Sequence, residues 1–210
     1  MALSTMPVKT LIVGQLQTNC YLFYSEPSRK AVIIDPGDDA DLIISQIQDL
    51  DLNPEAILAT HGHFDHVLAV TELKLAFNLP FYLHQADKKI LARTQSTAKY
   101  FTGLEVDPAP KVYHSLVPQA KIKVGESSLQ IIHTPGHTQG SVCFYCPAEK
   151  LIFTGDLIFA HGDRGRTDLD GGNESQIQQS IRQILSLPAK TLMYSGHGPA
   201  TTVKDEKQFH

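Results

Sequence analysis

The stretch THGHFDH, residues 60–66, places His61, His63, Asp65 and His66 in one short turn. Imidazole nitrogens and carboxylate oxygens together are the donors that hold zinc, iron or manganese. Three further segments carry the same kind of side chain: TPGHT with His137, FTGD with Asp156 and SGHG with His197. Each of the four follows an apolar run, so each ligand-type side chain is expected in a loop at a strand end. Loops at one edge of a sheet share a crevice, and the spacing predicts that all seven side chains meet there. A tetrahedral zinc uses three or four donors, so seven suit two divalent ions, zinc first and iron or manganese as alternatives. His61 and His63, two apart in an extended segment, can face one ion, while Asp65 and His66 face a second. Gly62 lets the backbone turn tightly between them.

Taken singly, these features are ordinary: a histidine on an apolar stripe is usually a satisfied core residue, and TGD is a common turn. Their recurrence in kind is what points to a metal centre. Asp35 in IIDPG also ends an apolar run. It is either a carboxylate that orients a metal-bound imidazole or a turn aspartate before Pro36. His84, His114, His133, His161 and His210 lack such context, with His84 and His161 the candidates to line a pocket.

The elements that must position these residues read as one mixed α/β domain. Short β-branched runs at Thr10–Val13, Cys20–Tyr24 and Ala31–Ile34 open a sheet. A helix follows, capped by Asp38 or Asp39, with Ile43, Ile47 and Leu50 on one face. After a strand at Ala56–Thr60, a second helix is expected to carry His66, Ala69, Val70, Leu73, Ala76 and Phe77 on its buried stripe, stopped by Asn78 and Pro80. A strand at Phe81–Leu83 and a short helix near Ala86–Arg93 come next. Residues 95–120, with Tyr100, Phe101, Val106 and Tyr113, show little periodicity and are read as a floppy segment or a substrate lid. Further strands are expected at Lys121–Val124, Leu129–His133, Val142–Tyr145, Leu151–Phe153 and Thr191–Tyr194, with a helix at Ser175–Leu185.

Composition narrows the function. With 210 residues, 42% hydrophobic and 19% charged, the chain can bury one ordinary core. A net charge of −4 without a basic cluster excludes a phosphate-backbone footprint, so nucleic acid is not an expected partner. No apolar run reaches membrane-spanning length and MALSTMPVKT does not read as an export signal; the chain is read as cytoplasmic. Three cysteines cannot build a disulfide framework, and Cys143 and Cys146 of SVCFYC are expected to pack in a core strand. Nothing in the pattern speaks to oligomeric state.

THGHFDH, TPGHTQGS, FTGD and SGHG, in this order and spacing, resemble the metallo-β-lactamase-fold superfamily over nearly the whole chain. GRTD at 165–168 and GHGPATT at 196–202 are similar to its glyoxalase II-like branch, the short single-domain hydroxyacylglutathione hydrolase-like members. The resemblance implies a four-layer αββα sandwich of two mixed β-sheets. It implies one metal on His61, His63 and His137, another on Asp65, His66 and His197, and Asp156 bridging. The implied reaction is hydrolysis of a small-molecule thioester such as S-lactoylglutathione. A thiolate leaves without a general acid, its conjugate acid having a pKa of about 8.5, and Asp65 is placed to orient the attacking group. Arg164 or Arg166 is the candidate to hold a substrate carboxylate. One rival within the superfamily is a persulfide dioxygenase with a mononuclear iron on His61, His137 and Asp156. β-Lactam hydrolysis and a non-catalytic domain merely stabilised by metal rank lower.

Overall fold

A computed structural model describes residues 6–111 and 114–210; Tyr113 lies outside them. The chain opens as an antiparallel meander, β1 (Val8–Val13), β2 (Thr18–Tyr24) and β3 (Lys30–Ile34). Two crossovers follow: α1 (Ala40–Asp49), β4 (Asn53–Leu58), α2 (Val70–Phe77) and β5 (Phe81–His84). Two short helices in succession, α3 (Lys88–Leu91) and α4 (Thr94–Thr102), lead to β6 (His114–Leu116), and β3 to β6 run parallel. The second sheet begins with β7 (Lys121–Val124), β8 (Ser127–His133), β9 (Val142–Cys146) and β10 (Leu151–Gly155), all antiparallel. The crossover α5 (Glu174–Leu185) brings β11 (Leu192–Ser195) parallel to β10, and β12 (Thr201–Thr202) and α6 (Val203–Glu206) follow. Spatial order is sequential in the first sheet, β1 to β6, and runs β12-β11-β10-β9-β8-β7 in the second.

Alternation along the central strands explains why both sheets are covered on both faces. In β2, Cys20, Leu22 and Tyr24 pack with Ile43, Ile47, Val70 and Leu73 of α1 and α2. Their neighbours Tyr21 and Phe23 turn the other way, into a layer shared with Val32, Ile34, Phe144 and Phe153. In the second sheet Cys143, Tyr145 and Ile152 face Ile177, Ile181 and Ile184 of α5. The result is the expected four-layer αββα sandwich. Cys143 and Cys146 fall on opposite faces of β9 and are buried and free. No helix among the described residues is long and apolar enough to cross a membrane.

Three local expectations are corrected. His66 is not on α2: it closes a 3-10 turn at Phe64–His66, and the helix starts at Val70. Leu68 and Ala69 donate their N–H groups to Gly37 O and Pro36 O instead of continuing a helix, so the bond to the Asp35 loop breaks the helical run. Residues 95–120 are not uniformly irregular, because α4 occupies Thr94–Thr102 with Ala98 buried. Neither Asp38 nor Asp39 caps α1 with its side chain; Asp39 accepts from Gly14 N at 2.8 Å and so ties the helix start to the β1–β2 hairpin.

Candidate metal centre

All four chemistry-bearing loops leave strands at one edge of the sandwich, and backbone bonds splice them. Val142 N donates to Thr60 O at 2.9 Å, Gly196 N to Gly155 O at 2.8 Å and Asn19 N to Gly196 O at 2.7 Å. The Asn19 side chain adds bonds to Ser195 O at 3.0 Å and Gly198 O at 2.8 Å. The loops of both sheets are thereby fixed against each other before any ligand is considered.

Every sequence-identified donor lies in this cluster. His63 Nδ1 stands 3.1 Å from His61 Nε2 and 2.9 Å from His137 Nε2, so three ring nitrogens meet at one point. Beside them is an anionic pole. His66 Nε2 is 3.5 Å from Asp65 Oδ2 and 3.4 Å from Asp156 Oδ1, and His197 Nε2 is 3.4 Å from Asp65 Oδ2. Asp156 Oδ2 lies 3.6 Å from His137 Nε2 and 3.7 Å from His197 Nε2, between the two groups. The donor atoms of His61, His63 and His137, of His61, His66 and Asp156, and of Asp65, His66 and His197 each fall within 4.8 Å of one another. Gly196 makes this closeness possible, because a Cβ there would sit 2.1 Å from Asp156 Oδ1.

The surroundings set the tautomers. His137 Nδ1 faces Arg166 O at 2.8 Å and His197 Nδ1 faces Leu16 O at 3.1 Å; a carbonyl only accepts, so these nitrogens carry the protons. Thr60 donates its hydroxyl to Asp35 Oδ2 at 2.7 Å, and therefore accepts from His61 Nδ1 at 3.1 Å. His61 and His137 thus turn lone pairs toward His63 Nδ1, whose single proton cannot satisfy both well. Asp35 sits where an orienting carboxylate is expected: it also accepts from Thr60 N at 2.7 Å, and its Oδ2 is 3.1 Å from His66 Nδ1. Its backbone is left-handed, φ 51°, a conformation an aspartate tolerates better than most residues.

Charge balance follows from this geometry. Burial, helped by neighbouring imidazoles, holds His61 well below the ordinary histidine value and brings His63 down to about 4. Burial also opposes charge on His66, yet the carboxylates of Asp156, Asp65 and Asp35 outweigh it and raise its pKa. Burial pushes Asp156 and Asp65 upward as acids, but the imidazoles win and both are held below the ordinary carboxylate range. His66 Nε2 and Asp156 Oδ1 are buried with no hydrogen-bond partner among the described residues, a costly arrangement for polar atoms unless a cation completes it. Inward lone pairs at one pole and clustered carboxylates at the other fit two divalent ions of the nitrogen- and oxygen-binding kind.

A cavity of about 540 Å³ opens above the cluster. His63, Asp65, His137, Asp156 and His197 form part of its lining, and Leu16, Phe64, Ile90, Phe101, Phe159 and Leu169 supply apolar surface. Arg164 and Arg166 line it as well, each already engaged: Arg164 with Glu174 at 2.9 Å, Arg166 through two nitrogens with Asp168 at 2.7 and 2.6 Å. His84 and His161 are absent from this lining; His84 instead stacks on His133, ring centres 4.6 Å apart. Sequence reasoning missed Thr60 and Asp87; of the aromatic wall it named Phe101, in the segment read as floppy or as a substrate lid, but not Phe64 or Phe159. Phe64, an apolar residue inside an otherwise polar turn, was an available signal. Gly62 also has a different role, since a Cβ there would meet Asp87 Cβ and Asp87 O, both at 3.1 Å: it makes room for a neighbour.

The family model for the metallo-beta-lactamase superfamily matches residues 13–197. A hydroxyacylglutathione hydrolase, GloC, from Haemophilus influenzae is 34% identical over 206 residues, covering 97% of this chain and 96% of its own. Among solved structures, the BLEG-1 B3 metallo-beta-lactamase is 38% identical, covers 96% of this chain and 97% of its own, and superimposes with a TM-score of 0.89. TTHA1623, solved in a di-iron-bound form, is 37% identical with 97% and 98% coverage and a TM-score of 0.88.

Proposed function

The chain belongs to the metallo-β-lactamase superfamily, and on that premise we propose that it is a dinuclear, metal-dependent thioester hydrolase acting in the cytoplasm on a hydroxyacylglutathione such as S-lactoylglutathione. The observation that carries the reading is the meeting of seven donors in two adjacent groups at the floor of a largely apolar cavity. The name of the Haemophilus relative supports the substrate class, and the di-iron form of TTHA1623 supports a pair of ions. In this proposal His61, His63 and His137 would hold one ion and Asp65, His66 and His197 the other, with Asp156 a donor available to both. The chemistry such a pair would supply when bound is Lewis acidity, enough to acidify a water to about neutral pKa and to polarise a carbonyl.

The chain's own groups do the positioning. Asp65 accepts from Thr18 Oγ1 at 3.3 Å, which leaves its carboxylate pointed at the cavity floor, where it orients the attacking group. Asp65 and Asp156 are held ionised and Asp170 is tied to Arg93, so these carboxylates offer the leaving group no proton. That arrangement suits a leaving group stable as an anion, and a thiolate meets this better than an amine or alkoxide. The apolar wall accommodates the uncharged part of the substrate. Arg164 and Arg166 are the groups that receive a carrier carboxylate, in exchange for Glu174 and Asp168.

The test is to purify the protein, quantify zinc, iron and manganese, and measure thiol release from S-lactoylglutathione beside oxygen uptake with glutathione persulfide. About two metals per chain with thiol release is expected; one iron per chain with oxygen uptake would replace this reading by the persulfide dioxygenase.

A further inference from the structure

Asp87 carries a buried carboxylate that the proposed reaction does not use. It stands at the start of α3 yet makes no side-chain cap there. Its oxygens reach two remote loops instead. Oδ2 accepts from Gly62 N at 2.9 Å and from Thr138 Oγ1 at 2.7 Å, and Oδ1 accepts from Gly140 N at 2.7 Å. Gly62 lies between His61 and His63, and Thr138 follows His137. The chain has shaped both loops around this group: a Cβ on Gly140 would fall 2.5 Å from Asp87 Cγ and 2.5 Å from its Oδ1. Burial raises the acid's pKa, against the donors from Thr138, Gly62 and Gly140, so keeping a carboxylate there is costly and one carbon fewer of backbone space would exclude it.

We infer that Asp87 is a positioning residue which sets the distance between the His61–His63 loop and the His137 loop, and so tunes the metal affinity of the three-histidine group. This rests on the two-metal reading above. A side chain that merely filled space would not need three donors on two ligand loops, 25 and 51 or more residues away. Partners bonded directly to metal-ligating side chains are worth about 10–100-fold in affinity; Asp87 acts one bond further out, through the two loops, which puts its effect at the lower end of that range.

The experiment is Asp87→Asn in the full chain, which keeps shape but turns an acceptor into a donor facing Gly140 N or Gly62 N. Zinc is titrated in by chelator competition and the two stepwise affinities are compared with those of the parent protein, alongside urea melts of both metal-free proteins. The expected result is one step weakened by about tenfold or more, the other changed by less than about threefold. Thr138→Val, which deletes one donor, should shift the same step by less, and it carries the test should Asp87→Asn fail to fold. Unchanged affinities overturn the inference, as does equal weakening of both steps in proportion to lost metal-free stability. A parent protein that takes up fewer than two zinc ions overturns the two-metal reading and this inference with it, and so is told apart from failure of the variant alone.

Discussion

Thr60→Val is the sharpest single test of how the centre is built, because it removes one hydroxyl and nearly nothing else. That hydroxyl donates to Asp35 Oδ2 at 2.7 Å and accepts from His61 Nδ1 at 3.1 Å. Asp35 keeps the Thr60 N–H at 2.7 Å and the His66 ring at 3.1 Å, so it is diminished but not abandoned. His61 is 1% exposed, so its Nδ1–H loses its acceptor in a buried setting. Leaving a buried donor unsatisfied costs about 1–3 kcal/mol, and a lost bond to a carboxylate about 1.5–3 kcal/mol. Some of this is offset by the added methyl, so the metal-free protein should lose about 2–4 kcal/mol. For a chain of this length that is a fall in Tm of roughly 4–16 °C. The His61 tautomer is also released, so zinc affinity should drop about 10–100-fold. Urea denaturation of the metal-free protein and chelator competition on the folded protein measure the two separately. A loss under about 0.5 kcal/mol with unchanged zinc affinity would refute the reasoning that Thr60 holds the ring.

Asp156→Ala removes the carboxylate between the two donor groups and should leave fewer than two metals per chain by elemental analysis, with turnover lost; near-normal metal content would contradict the bridging role. Phe101→Ala, which opens the aromatic wall formed with Phe64, ring centres 6.1 Å apart, should raise KM for an acyl thioester several-fold while leaving metal content unchanged. The pH profile of metal-free stability should peak near 6.5. His66 and His197 are raised above that value, so the folded state binds more protons above it and stability falls as pH rises. His61 and His63 are lowered, so the unfolded state binds more protons below it and stability falls as pH drops, toward about 4 for His63. Urea midpoints across pH 5–9 read this directly, and a monotonic profile would contradict the assigned shifts. Loading with zinc should abolish the alkaline limb, since the ions replace the protons on His66 and His197.

The donor loops were legible because a histidine or aspartate at the end of an apolar strand has few structural reasons to be there, and four such ends repeated the pattern. Asp35 was legible for the same reason, though only its contact with Thr60 and His66 separates it from a turn aspartate. His66 was misplaced because its apolar neighbours keep helical spacing through residues 67–69, where bonds to Pro36 O and Gly37 O override the local preference. The helix α4 was hidden in the same way by averaging: Gly103 and the prolines that follow it lie outside Thr94–Thr102. Asp87 gave no signal, since its partners at Gly62, Thr138 and Gly140 are defined only once two distant loops are folded together.

Orientation of the ligands and shape of the cavity are written in different atoms of the same segments. Arg166 holds His137 with its backbone carbonyl while its side chain lines the cavity, and Leu16 does the same for His197. A carbonyl is present whatever the side chain, so residue changes at these positions alter what the cavity accepts without releasing the rings. Gly165 marks the limit of that freedom, since a Cβ there would lie 1.9 Å from Asp156 O and 2.9 Å from His137 Nδ1. Residues 16 and 166 can therefore vary without releasing the rings, whereas residue 165 is bound to the donor cluster itself. On the proposed reading, this division of labour would let cavity preference change over a donor cluster that stays fixed, which is how one fold can host different activities.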